Sequence, residues 1–229
     1  PASELLKRIE AEKQKLIADK KIKKEKILPP IGNDEMPFEL PEGWIWCRMS
    51  EIGIINPRNT LVDDLDIGFV PMKSISQNYS VSPEFEVKKW KDVKSNFTHF
   101  RNNDVAFAKI TPCFQNSKAC VFSGLPNGYG AGTTELHVFR KVNNDIYPSF
   151  IYSVFKSSHF LDQGEGKMTG SAGQKRVPKN YFSEYIIGVP PLQEQKEIVE
   201  KVKSLMALCD ELEQQIETSQ TQIEKLMQS

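Results

Sequence analysis

Pro190-Pro191-Leu192-Gln193-Glu194-Gln195 opens a stretch that runs to the end of a 229-residue chain with no further Gly or Pro. Within it apolar residues recur at Ile198, Val202, Leu205, Cys209, Leu212, Ile216, Ile223 and Leu226, in alternating steps of four and three. The single lapse is Ser219, where the pattern calls for an apolar side chain. A 3.5-residue period held for about four heptads is the seam of a coiled coil, not the broader stripe of a core helix. At ~1.5 Å per residue the helix would be on the order of 50 Å long. A chain of this size has no use for such a length in its own core. The sequence therefore predicts a rod that pairs with another helix.

The bulk composition bounds the rest. Hydrophobic residues make up 39% and charged residues 26%, which fits a globular domain with extended helices, and no apolar run approaches the ~20 residues of a membrane span. The amino end is charged and has no apolar core of a signal peptide, so a cytoplasmic chain is expected. It starts at Pro1 without Met, as a piece of something longer would. Net charge is zero, yet residues 1–26 hold nine bases and five acids, and residues 193–229 hold four bases and eight acids. These opposite ends would favour lying side by side. Cys47, Cys113, Cys120 and Cys209 show no Cys-x-x-Cys pairing, and His99, His137 and His159 have no metal-ligand spacing. Free thiols in a reducing compartment and no metal or cofactor are the expectation.

Residues 3–26 are rich in Lys and Glu, with a thin apolar stripe at Leu5, Leu6, Ile9, Leu16 and Ile22, and predict a helix. Its basic second half suits DNA phosphates, or is simply a helix end and charged linker; Pro29-Pro30 closes it. Past a turn-rich lead-in at 37–43, strands are expected near 44–48, 68–72, 85–90, 104–110, 119–122, 135–140 and 185–189, with a helix at 149–158. Gly164 to Gly173 reads as a Gly/Ser/Thr-rich loop. The fold class is α+β: a mixed globular domain over 37–189, an N-terminal helix and linker over 1–28, and a long helix over 190–229.

Catalytic signatures fail on inspection. A phosphate-binding loop needs Gly-x4-Gly-Lys-[Ser/Thr], but Gly166-Lys167 is followed by Met168 and position 161 is Leu. Ile55-Asn56-Pro57-Arg58 lacks the second Pro and the aromatic of an amino-methyltransferase motif. Asp63, Asp64 and Asp66 read as a solvated acidic turn. Three polar loops remain. The first leaves a strand and presents Lys109, Thr111, Gln115, Asn116 and Lys118. Amides of this kind make bidentate bonds to adenine, and Lys bonds guanine or phosphate. The second offers Thr133 and Thr134. The third is small and basic, with Lys167, Thr169, Ser171, Gln174, Lys175 and Arg176, and Lys179 just beyond. Singly, each reads as ordinary surface loop; together they point to DNA.

The order of these parts carries a resemblance. Leu-Leu-Lys-Arg-Ile (5–9), Leu-Pro-Glu-Gly-Trp (40–44), Lys-Ile-Thr-Pro-Cys (109–113), Gly-Ser-Ala-Gly-Gln-Lys-Arg-Val-Pro (170–178) and Pro-Pro-Leu-Gln-Glu-Gln-Lys-Glu-Ile (190–198) follow one another along the chain. The whole resembles one half of the DNA-specificity (S) subunit of type I restriction–modification enzymes. That resemblance implies one target recognition domain at 37–189 and one spacer helix at 193–227, with 1–26 the tail of the other spacer. It implies double-stranded DNA, methyltransferase subunits and, through the assembly, restriction subunits as partners, and no catalysis in this chain. A half-subunit with an open seam is expected to self-associate through it. The alternatives are the recognition end of a fused methyltransferase–endonuclease, and a coiled-coil adaptor that does not bind DNA.

Overall fold

Short apolar runs punctuated by Gly, Asn and Pro can form only short strands, and the chain between the two terminal helices is built from them. A computed structural model describes residues 1–24, 28–79, 81–171 and 173–227, the side chains of 224–226 excepted. Helix α1 (Ala2–Ala18) is followed by β1 (Ile45–Arg48), the single turn α2 (Met49–Ile52) and β2 (Gly53–Ile55). Next come β3 (Asp66–Val70), β4 (Glu86–Lys89), the turn α3 (Trp90–Val93), β5 (Thr98–Arg101) and β6 (Val105–Ala108). β7 (Ala119–Val121), β8 (Tyr129–Gly132) and β9 (Leu136–Lys141) complete the central strands. The chain ends in α4 (Pro148–Phe155), α5 (Ser158–Lys167), α6 (Lys179–Glu184), β10 (Ile186–Val189) and α7 (Leu192–Met227).

The strands form an antiparallel sheet in the order β2-β9-β6-β7 and a mixed sheet in the order β4-β3-β8-β5, while β1 and β10 pair as a separate antiparallel ribbon. The parallel pair is β3 with β8, joined by the long crossover that such a pair requires. Phe107 of β6 sits at the centre of the main core. Its ring lies 4.9 Å from Phe155 and Phe182, 5.1 Å from Phe160 and 5.8 Å from Phe114. One ring thus ties α4, α5, α6 and the first polar loop to the sheet.

Several expectations need correction. The first helix ends at Ala18, where the next turn reaches Lys20 with φ 55°, rather than near residue 26; residues 25–26 lie outside the described residues. Gly164 does not begin a loop. It lies inside α5, where any Cβ would drive into the Phe114 ring, so glycine is the residue that lets helix and loop close on each other. The loop itself starts at Met168. Strands β2, β5 and β8 were not expected. β8 reads Tyr-Gly-Ala-Gly, with Phe100 lying over Gly130 where a side chain would otherwise stand. The acidic turn is neutralised in place: Asp63, Asp64 and Asp66 pair with Lys94, Lys91 and Lys89 at 2.8–2.9 Å.

The two end helices do not pair along their lengths. Ala2, Leu5 and Ile9 of α1 are buried against the head, where Arg8 makes a two-bond fork to Asp145 (2.6 and 2.9 Å) and Lys13 donates to the carbonyls of Ser50 and Gly53. Burying an aliphatic side chain stabilises by roughly 1.5–3 kcal/mol, against about 0–1 for a surface ion pair. Apolar burial decides where α1 goes.

α7 is rooted by the Glu-Gln of the junction motif. Gln195 is fully buried: its Oε1 accepts from the Tyr147 amide at 2.8 Å, and its Nε2 donates to the carbonyls of Pro190 (3.0 Å) and Asp145 (3.1 Å). Glu194 accepts from the Trp44 indole at 3.0 Å. Val199 is buried and Ile198 packs half-buried against the main core, so the first position of the expected seam serves the chain's own core; Val202 is half-buried as well. Every described side chain from 207 to 223 is exposed. The open stripe is Leu205, Cys209, Leu212, Ile216 and Ile223, joined by Leu208, which the heptad count passes over. Leu226 lies in the helix with its side chain outside the described residues. Among the described residues no helix is long and apolar enough to cross a membrane.

Candidate nucleic-acid interface

The three polar loops, far apart in sequence, are woven together by their backbones. Lys109 is the middle strand of the weave: its amide donates to the Glu135 carbonyl and its carbonyl accepts from the Val177 amide, both at 2.8 Å. The Thr111 amide donates to the Lys175 carbonyl (3.0 Å), and the Lys175 amide returns a bond to Thr111 Oγ1 (3.2 Å). Thr169 and Arg176 exchange two backbone bonds of 3.0 and 2.8 Å across the base of the third loop. Gly170 there has φ 123°, a conformation other residues rarely adopt.

Each loop points its polar residues outward over a buried anchor. In the first, Phe114 is buried under a turn whose tip exposes Gln115 and Asn116. Ser117 follows with φ 50°, held by Lys156 of the α4 end. The Lys156 ammonium donates to the Ser117 carbonyl (2.8 Å) and hydroxyl (3.2 Å) and to the Gln77 carbonyl (2.6 Å). Burial depresses its pKa to about 8. In the second loop Thr134 is the exposed tip, and Thr133 Oγ1 caps the Glu135 amide at 3.2 Å. In the third, Thr169, Ser171, Gln174 and Lys175 are exposed, flanked by exposed Lys167 and Lys179.

The candidates divide by availability. Arg176 forks onto Glu135 with bonds of 2.9 and 2.8 Å, which holds the Glu135 carboxyl below the usual carboxylate range. Arg176 therefore braces the second loop against the third. Gln115 donates its amide to Glu165 of α5. By contrast, among the described residues no carboxylate pairs with Lys109, Lys118, Lys167, Lys175 or Lys179. Five cations around one surface attract a polyanion even in a chain whose net charge is zero. No group of three or more His, Cys, Asp or Glu able to hold a metal occurs among the described residues.

Sequence reasoning missed the brace beneath the loops. Buried His137 of β9 donates from Nε2 to the Val177 carbonyl (3.0 Å) and accepts at Nδ1 from Asn56 Nδ2 (3.0 Å), while Asn56 Oδ1 accepts from the Val138 amide (2.9 Å). The Asn-Pro-Arg segment after β2 is thus structural at Asn56. Only a topology that pairs β2 with β9 reveals this. Burial pushes His137 down to about 4 and, with help from Arg58, His99 also to about 4.

A pH dependence follows. Between about pH 6.5 and 4 the unfolded chain protonates these imidazoles and the folded chain does not, so the unfolded state binds more protons and stability falls with acid. Urea unfolding at pH 7 and pH 5 should show a loss of roughly 2–4 kcal/mol from the two imidazoles together. The loss should shrink in His137→Asn; an identical loss in that variant would remove His137 from the account.

Comparison with known proteins sets this geometry in context. The profile of the type I restriction modification DNA specificity domain matches residues 41–222. The chain is 56% identical over 220 residues to the type I restriction enzyme EcoAI specificity subunit and 54% identical to the EcoEI specificity subunit, both of Escherichia coli. Each alignment covers 96% of this chain and 37% of the relative, so the chain spans little more than a third of their length. Among solved structures, the HsdS subunit from Thermoanaerobacter tengcongensis superposes with a TM-score of 0.66 at 25% identity, over 84% of this chain and 49% of that one. A chain from a study of complex assembly and conformational transition in a type I R-M system gives 0.68 at 26% identity, with the same coverage.

Proposed function

The chain belongs to the type I restriction–modification DNA specificity family, and from that premise we propose that it reads one half of a split DNA site and docks methyltransferase subunits. In this reading residues 37–189 are the target recognition domain, residues 190–229 a spacer helix and residues 1–28 the tail of a second spacer. The recognition surface is the woven set of loops at 109–118, 133–135 and 168–178. The chain does not itself transfer methyl groups or cut DNA; it acts in the cytoplasm with subunits that do. The observation that carries the proposal is the convergence of the three loops, with Lys109, Lys118 and Lys175 on them and Lys167 and Lys179 flanking them, none of the five paired with a carboxylate among the described residues. A rigid rod fixes the distance between two readers, as dimer geometry sets half-site spacing in other DNA-binding proteins.

Methylation profiling of DNA from cells carrying the complete system tests this directly, because the modified motif displays what is recognised. At the residue level Lys175→Ala is the clean substitution, since Arg176 is committed to Glu135. It should weaken binding to all sequences alike and reduce the salt slope by about 0.9, the signature of one lost phosphate contact. Asn116→Ala should instead relax the methylated motif at one position, a loss of roughly 1–3 kcal/mol in discrimination. An unchanged motif would take Asn116 out of the base-reading set.

A further inference from the structure

Beside the woven loops lies a groove of about 430 Å³ that extends their surface. It is walled on one side by Lys109 and Thr134 and on the other by Arg58 from the segment after β2, Asn96 from the turn before β5 and Thr98, which opens β5. No Asp or Glu lines it. The larger cleft of the molecule, about 920 Å³, sets Glu35, Asp162 and Glu184 against Arg48 and Lys167, a balance that repels a polyanion. Neither cation of the smaller groove is tied up in an ion-pair fork of the kind that holds Arg176. Arg58 donates one strong bond, to the Phe97 carbonyl at 2.8 Å, and a long one of 3.5 Å to the Lys94 carbonyl. A guanidinium has five N–H donors in a fixed fork, so these neutral acceptors orient it and leave donors and charge available. Among the described residues neither Arg58 nor Lys109 pairs with a carboxylate. The Lys109 backbone is pinned from both sides by Glu135 and Val177, which fixes where its side chain departs.

We propose that this groove seats a backbone phosphate of the DNA duplex flanking the bases read by the loops, with Arg58 and Lys109 as its cationic ligands and Thr134, Thr98 and Asn96 as neutral donors. This rests on the DNA-reading function proposed above, and it carries the contact surface off the loops onto the mixed sheet. A phosphate contact there positions the duplex without reading sequence. Arg58 then sets register, and the loops specify.

The test uses the complete specificity polypeptide assembled with its methyltransferase subunits. Binding to a mixed-sequence duplex and to a duplex carrying the methylated motif is measured across salt concentrations. Arg58→Gln and Lys109→Gln should each flatten the slope of log K against log salt by about 0.9 on both duplexes, and the double variant by about 1.8. Near 0.15 M salt each lost contact corresponds to roughly fivefold weaker binding. Arg58→Lys keeps the charge without the fork and should restore most of the slope; a role confined to holding the Phe97 carbonyl would not respond this way. Unchanged slopes in folded variants, with the parent binding DNA normally, would overturn the groove and leave the recognition function standing. A parent that binds no duplex even at low salt would remove both.

Discussion

Asp104→Ala should cost the fold about 3–5 kcal/mol, the price of leaving a buried charge without its partner. Asp104 is 1% exposed and Arg140 7%. The guanidinium donates from Nε at 3.0 and 3.1 Å and from Nη2 at 2.7 Å, while the Arg101 amide adds a fourth bond of 2.9 Å to the carboxylate. Removing the carboxylate strands Arg140 inside β9, the strand that also carries His137 and leads out of the second loop. Domains of this kind hold only ~5–15 kcal/mol in all, so a marked drop in the urea midpoint is expected. The double variant Asp104→Leu with Arg140→Met should recover most of the loss, because a well-packed apolar pair avoids the desolvation that the ions suffer. A single variant within ~1 kcal/mol of the parent would show that the pair contributes little.

That pair was invisible in the sequence, and the reason is general to this fold. The long helix was legible because one period persists over many residues, and most strands were legible because β-branched and aromatic residues cluster between turn residues. β8 was not, since Gly130 and Gly132 make room for Phe100 and the backbone carbonyl of Val70, constraints that exist only once the sheet is assembled. α5 was hidden for the same reason: its Gly164 answers to Phe114, fifty residues earlier. The three loops could be named from composition, since amides, hydroxyls and lysines stood together after strands. Which of their members are free could not. Arg176 and Gln115 were among the expected DNA contacts and are engaged by Glu135 and Glu165. Arg58, set aside with a motif that did not match, lines the groove beside Lys109. Spacing shows which residues a segment offers, but their partners come from pairings that local sequence does not record.

The largest change in behaviour is expected from the rod. The parent is expected to self-associate at tens of micromolar, and replacing Leu205, Leu212 and Ile216 by Glu should leave a monomer, measured by light scattering, with the head's thermal unfolding unchanged. These side chains are 49–56% exposed, and every described side chain of α7 from 207 to 223 is exposed. Two copies sharing the seam would finish burying about five apolar side chains each, at roughly 1 kcal/mol apiece. Association costs about 4–15 kcal/mol in lost freedom, so at the low end of that cost about 6 kcal/mol remains, a dissociation constant on the order of tens of micromolar and no tighter. Three Glu per copy remove about 6 kcal/mol, roughly four orders of magnitude in the dissociation constant. The same arithmetic explains why such a helix suits a longer polypeptide. When both helices belong to one chain the pairing becomes intramolecular, at an effective concentration in the millimolar range, and a seam too weak to hold two separate molecules tightly then suffices to fix the spacing of two reading heads. A parent that remains strictly monomeric at tens of micromolar would mean that α7 takes its partner from elsewhere.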